Sequence, residues 1–160
     1  MPAISRVGGV VMLPLMLVGL LSGLFMSASP ADAVLTRTKV HHAVDISLNQ
    51  IGDPYVYGAA GPGAFDCSGL IYYSYRKAGF KHMPRTSSAQ ASWLRHIKKS
   101  NMRRGDLMYF YDGGGVYHAA IFLKWSKRGR AVMLDAPYPG RDVNRHVAWT
   151  SQWYARTIRR

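Results

Sequence analysis

Beyond residue 33 the chain switches hydrophobic period once, from helical to alternating. Between Val40 and Ile51 the apolar positions Val40, Ala43, Val44, Ile46, Leu48 and Ile51 fit an amphipathic helix, imperfectly, and Gly52-Asp53-Pro54 stops it. The run Gly58-Ala59-Ala60-Gly61-Pro62-Gly63 cannot continue a regular element. A second helix is expected from Asp66 to Gly79, apolar or aromatic on nearly every side between Leu70 and Tyr75 and therefore packed in the core. A third is expected from Ser87 to about His96, after Pro84 and with Thr86 or Ser87 as its cap. Past Arg104 the pattern becomes that of strands: Asp106 to Tyr111, a Gly113-Gly114-Gly115 turn, Val116 to Trp125, a Lys127-Arg128-Gly129-Arg130 turn, Ala131 to Leu134, and a fourth strand around Val143 to Trp149. Helices first and an antiparallel meander afterwards predict an α+β fold, with N-terminal helices packed on one face of a central antiparallel β-sheet.

The N-terminus changes the picture of where the domain begins. Arg6 is followed by an uncharged, largely apolar run from Val7 to Met26 and then by the small-x-small triplet Ala31-Asp32-Ala33. This predicts a secretory signal peptide over residues 1–33, cleaved after Ala33. The alternative is a retained anchor, because about 20 apolar residues just span a bilayer. Residues 34–160 then suffice for one domain and are too few for two. Charge adds a partner class: 21 Lys and Arg against 8 Asp and Glu give a net +13. An exported domain so basic is expected to meet anionic wall polymers or a membrane surface. It carries no RNP-type or helix-turn-helix pattern, so no nucleic-acid partner is expected. The six histidines fall in no Cys-x-x-Cys or His-x-x-x-His spacing, and neither metal nor cofactor is expected.

Candidate chemistry centres on Cys67, the single cysteine, which enters the second helix directly after the glycine-rich turn. Unpaired N–H groups and the positive end of the helix dipole favour a thiolate there. Export normally goes with paired cysteines, and an unpaired thiol in an oxidising compartment favours a chemical role. A cysteine nucleophile needs a base, and the base needs a group that fixes its orientation. His118, in Tyr117-His118-Ala119-Ala120-Ile121, is the best-placed base. On the next hairpin strand Asp135, in Leu134-Asp135-Ala136-Pro137, can reach the far ring nitrogen, with Asp142 or His146 as alternative orienting groups.

With these residues in view, the chain resembles the NlpC/P60 family of papain-like cell-wall cysteine peptidases over roughly Val40 to Trp149. The resemblance rests on Gly52-Asp53-Pro54-Tyr55-Val56-Tyr57-Gly58, Phe65-Asp66-Cys67-Ser68-Gly69-Leu70, Met83-Pro84-Arg85-Thr86-Ser87, Arg104-Gly105-Asp106-Leu107 and His118-Ala119-Ala120-Ile121, in the family's order. It implies a papain-like fold and hydrolysis of peptide bonds in the peptidoglycan stem, most often γ-D-glutamyl to diamino acid, through an acyl-enzyme. By the same resemblance Cys67 is the nucleophile, His118 the general base and Asp135 the polar third position. Tyr55 stands beside the nucleophile, Asp66 and Ser68 contact the stem, and the Cys67 N–H joins the oxyanion hole. Arg85 either meets a substrate carboxylate or merely turns the chain into the third helix.

Three positions depart from the family pattern: Tyr57 stands where Trp is usual, Ala119-Ala120 where Val-Gly is common, and the hairpin between His118 and Asp135 is longer and carries Lys124, Lys127, Arg128 and Arg130. The expectation is therefore a monomeric thiol peptidase exported to the cell envelope, whose partners are peptidoglycan stem peptides. A non-catalytic peptidoglycan-binding module on the same scaffold, or a Cys-His amidase or acyltransferase, is the alternative.

Overall fold

The computed structural model describes residues 29–159. Residues 1–28, which hold most of the expected signal peptide, lie outside the described residues; the expected cleavage site lies inside them, in the first helix. No described helix is long and apolar enough to cross a membrane.

Helix α1 spans Pro30–Leu48, starting ten residues earlier than the apolar stripe alone suggests. Its start follows from local chemistry: the Ser29 hydroxyl accepts the Asp32 N–H, Pro30 occupies the first turn and Asp32 places negative charge there. Val34 and Leu35 on that first stretch are exposed, whereas Val40, Ala43, Val44 and Ser47 form the buried stripe further on. Helix α2 spans Cys67–Lys77 and buries Leu70, Ile71, Ser74 and Tyr75. Its phenol at Tyr75 donates 2.5 Å to the carbonyl of Gly105, tying the helix to the start of the sheet.

Helix α3 spans only Ser87–Trp93, capped by the Thr86 hydroxyl, and is shorter than expected. At Leu94 the backbone turns extended (φ −82°, ψ 149°), the side chain stays in the core, and Arg95–His96 form a short strand, β1.

The sheet has six antiparallel strands. After β1 come β2 (Leu107–Asp112), β3 (Gly115–Trp125), β4 (Ala131–Asp135), β5 (Asn144–Val147) and β6 (Trp153–Thr157), in the order β1-β6-β2-β3-β4-β5. Three hairpin-related strands lie where the alternation predicts them. β6 was not expected: it folds back beside β2, pairing Leu107 with Arg156 and Phe110 with Trp153.

Alternate residues serve two faces. Leu107, Tyr109, Ala119, Ile121 and Leu134 join the helices in one core, while Met108, Phe110, Ala120, Phe122 and Met133 build a second cluster with Trp153 and Ala155. Burial on both faces explains why β2 and β3 read as continuous apolar runs. Each fully buried side chain of this size is worth about 1.5–3 kcal/mol. The expected mixed fold, with helices packed on an antiparallel sheet, is what the chain adopts.

Candidate active site

The site lies where the N-terminus of α2 meets β3. Asp66 is the N-cap of α2, extended (φ −93°, ψ 176°), and its Oδ1 accepts the Gly69 N–H at 2.6 Å. It also receives the Ser68 hydroxyl at 3.1 Å, the Gly58 N–H at 3.0 Å and a two-pronged Arg85 guanidinium at 3.0 and 2.7 Å. Arg85 further donates to Ser68 Oγ and to the Ala59 carbonyl. Burial pushes the Asp66 carboxyl up, but Arg85, the Gly69 N–H and Ser68 outweigh it and hold it below the usual carboxylate range.

Glycine is required at position 69, because a Cβ would sit 2.0 Å from the Ala59 carbonyl oxygen. The loop Gly58–Gly63 and the first turn of α2 are thus clamped together, and Cys67, half-buried, projects from the first helical position.

His118 reaches this turn from β3. The register between β2 and β3 slips after the pair Phe110 and His118, so that Tyr111 pairs with Val116 and Tyr117 is the extra residue of a β-bulge. Bulges bend a strand and re-aim the side chains beside them. His118 is 5% exposed, and its Nε2 lies 2.5 Å from Oδ2 of Asp135, at the end of β4. Its other ring nitrogen, Nδ1, is not engaged by Asp135, and Cys67 stands near enough to the ring to act on its proton. Burial lowers the affinity of the imidazole for its proton, but the hydrogen bonds and charges of Asp135 and Cys67 overcome it and raise its pKa from 6.5 to about 9. Asp135 is fully buried. Burial alone would raise its pKa, yet bonds from His118 and from a second imidazole, His146, bring it below the ordinary value.

The residues that the sequence singled out therefore fall into two groups. Cys67 and Asp135 both come to the His118 ring. Tyr55 stands near them, half-buried; burial and the negative charges of Cys67 and Asp66 push its phenol up, so that it keeps its proton as a donor. Asp66, Ser68 and Arg85 form a closed network under the helix turn, with Arg85 32% exposed at its side chain. Of the alternative orienting groups, His146 bonds to Asp135 and not to His118, while Asp142 is exposed and its backbone bridges to Pro54.

Two side chains have a place here that the sequence did not announce. Gln90, fully buried, donates to the carbonyls of Ser68 and Pro84 and accepts the Tyr109 hydroxyl, joining α3 and the sheet to the first turn of α2. Trp149 stacks on Phe110 at 4.6 Å and lies 5.2 Å from the His118 ring. A cleft of about 820 Å³ opens beside His118, between Tyr117, Tyr138, Arg141, Arg145, His146 and Trp149. Among the described residues no cluster of His, Cys, Asp or Glu is arranged to hold a metal ion.

Comparison with known proteins bears on the family and the fold. The model of the NlpC/P60 family matches residues 52–160. The peptidoglycan endopeptidase RipA of Mycobacterium tuberculosis is 37% identical over 123 residues, covering 69% of this chain and 25% of RipA. The chain spans less than half the length of the curated relatives it matches.

Among solved structures, the NlpC/p60 domain of the peptidoglycan hydrolase SagA superposes with a TM-score of 0.66 at 30% identity, covering 74% of this chain and 98% of that one. RipD of Mycobacterium tuberculosis, described as a non-catalytic NlpC/p60 protein adapted to peptidoglycan binding, superposes with a TM-score of 0.61 at 25% identity. That match covers 75% of this chain and 97% of RipD.

Proposed function

Because the chain belongs to the NlpC/P60 family, we propose that it is a cysteine peptidase that cuts a bond in the peptidoglycan stem, the bond from γ-D-glutamate to the diamino acid. The single observation that carries this reading is the His118 imidazole set between buried Asp135, 2.5 Å from its Nε2, and Cys67 at the start of α2. The Cys67 proton passes to His118, which leaves a thiolate beside an imidazolium.

The Cys67 sulfur attacks the γ-carbonyl carbon. The developing oxyanion is met by the Cys67 N–H, one of the first-turn donors that a helix leaves without an internal acceptor, and by the Tyr55 hydroxyl. As the C–N bond breaks, His118 gives its proton to the leaving amine of the diamino acid. Neutral His118 then takes a proton from water, whose oxygen attacks the thioester carbonyl; the γ-carboxylate leaves and the pair is restored. Asp135 holds the ring in the tautomer and orientation that both steps need.

Asp66, Ser68 and Arg85 first fix the helix turn that carries Cys67, and the exposed part of Arg85 offers a charge to a stem carboxylate. The N-terminal 33 residues act as a signal peptide, and residues 34–160, a monomeric catalytic domain, work outside the cytoplasm. There the basic surface favours anionic wall polymers or the membrane surface.

The similarity to RipD keeps a binding-only reading in view. An aligned thiol, imidazole and carboxylate has no use in a pure binder and favours catalysis. The test is a digest of purified muropeptides by the 34–160 protein, with Cys67→Ala as control, read by mass spectrometry. New termini at γ-D-glutamate and the diamino acid, absent from the control, are expected. Intact muropeptides with retained sacculus binding would favour the binding module instead.

A further inference from the structure

The carboxylate of Asp135 is used twice. Its Oδ2 meets Nε2 of His118, and its Oδ1 accepts a hydrogen bond from Nε2 of His146 on β5. The two histidines differ in setting: the His118 side chain is 6% exposed, whereas that of His146 is 34% exposed, and both line the cleft that Trp149 borders. Asp135 sits at the last position of β4 and pairs with Asn144 in β5, so the ladder fixes its backbone and leaves the plane of its carboxylate to side-chain partners. Only the two imidazoles bond to that carboxylate among the described residues.

The His146 ring is itself held in place, lying nearly parallel to the Trp149 indole (6.0 Å, 19°), whose other neighbours are Phe110 and His118. Of the titratable and charged groups around this pair, Cys67 faces His118 from α2 and Asp135 faces both rings from β4. Tyr117, Arg141, Asp142 and Arg145 share the cleft with His146.

We propose that His146 is a positioning residue for the reaction, donating from Nε2 to one carboxylate oxygen of Asp135 so that the other is held in line with His118. The inference rests on the catalytic reading of the same site. A carboxylate fixed at one oxygen cannot rotate out of the plane in which it orients the imidazole. Without that bond, Asp135 can turn towards the water of the cleft, and His118 loses both its orientation and part of the charge that keeps it protonated. The role asks for a donor at the Nε2 position and not for a titrating group, so the side-chain amide of glutamine, which reaches about as far, can replace it.

The test compares the 34–160 protein with its His146→Ala and His146→Gln variants. Two quantities are read: the pH at which the His118 ring titrates, by NMR of its C2 proton, and kcat and KM on a stem peptide. For His146→Ala we expect kcat to fall about tenfold, the size of one hydrogen bond to a charged group, with KM little changed and the His118 titration moved down in pH. For His146→Gln we expect both to return close to the parent values. An unchanged or upward-moved His118 titration in His146→Ala overturns the inference, because His146 would then only draw charge from Asp135. So does a His146→Gln variant that is folded but as impaired as His146→Ala. If His146→Ala does not fold, His146→Gln decides alone, parent-like values being required. A parent protein whose His118 titrates in the ordinary range would sink the ion-pair mechanism itself; a high parent titration that His146 does not affect would sink only this inference.

Discussion

Asparagine at position 135 would keep the shape of the carboxylate and remove its charge. In the parent chain the His118 pKa is raised from 6.5 to about 9, although burial works in the opposite direction. That net rise corresponds to about 3 kcal/mol in favour of the imidazolium. The hydrogen bond that His118 gives to Asp135 is the leading contribution that raises it, ahead of Cys67. Asp135→Asn leaves the burial penalty and the share of Cys67, and retains only a neutral partner for Nε2. The His118 titration is then expected to fall by more than about one pH unit, so that the protonated fraction at pH 8 drops from about nine-tenths to about half or less. NMR titration of the ring measures this directly, and the alkaline limb of kcat/KM on a stem peptide should move with it. A ring that titrates in Asp135→Asn within about 0.3 unit of the parent would refute the assignment of the proton's hold to Asp135.

Three other perturbations probe the frame around the thiol. The same pair makes folding stability pH-dependent: a pKa raised on folding contributes stability that is complete below about pH 6.5 and is lost as pH rises through 9. Urea melts should therefore show about 3 kcal/mol less stability at pH 10 than at pH 6 from this group, a slope that Asp135→Asn flattens. Arg85→Ala strips Asp66 of its bidentate partner and leaves a carboxylate whose side chain is only 10% exposed. A loss of about 2–3 kcal/mol in thermal or urea melts is expected, and Arg85→Lys should recover little of it, lacking the fork. Gly69→Ala drives a Cβ to 2.0 Å from the Ala59 carbonyl oxygen. Either the protein loses more than about 3 kcal/mol, or α2 shifts and activity falls with little change in fold by circular dichroism; a stable, fully active variant would show that the loop does not clamp the helix.

Much of this arrangement is legible along the chain, for reasons that are local. The start of α2 is written in Asp66 and the glycines before it, and strands β2 to β4 follow from an alternation interrupted by glycine turns. What escapes the sequence depends on distant partners. Trp153–Thr157 becomes a strand because β2 offers an edge some 45 residues earlier in the chain, a pairing that nothing local in the segment announces. Leu94 leaves its helix because β6 pairs with Arg95 and His96. In the site, Cys67 and His118 are marked by residue type and context. His146 and Gln90 are not, since their significance lies in which buried atoms they reach, Asp135 for one and the Ser68 carbonyl for the other. Asp135 itself was reachable from its place beside β3, and the longer hairpin left its register with His118 to be settled in three dimensions.

The central claim, that Cys67 carries the acyl group cut from a peptidoglycan stem, is tested most directly by quenching the protein in acid during turnover of a stem peptide and measuring its intact mass. The account predicts an adduct equal to the acyl fragment on the γ-D-glutamyl side of the cut, mapped by digestion to Cys67 and missing in Cys67→Ala. Stem cleavage by Cys67→Ala at the parent rate would contradict it.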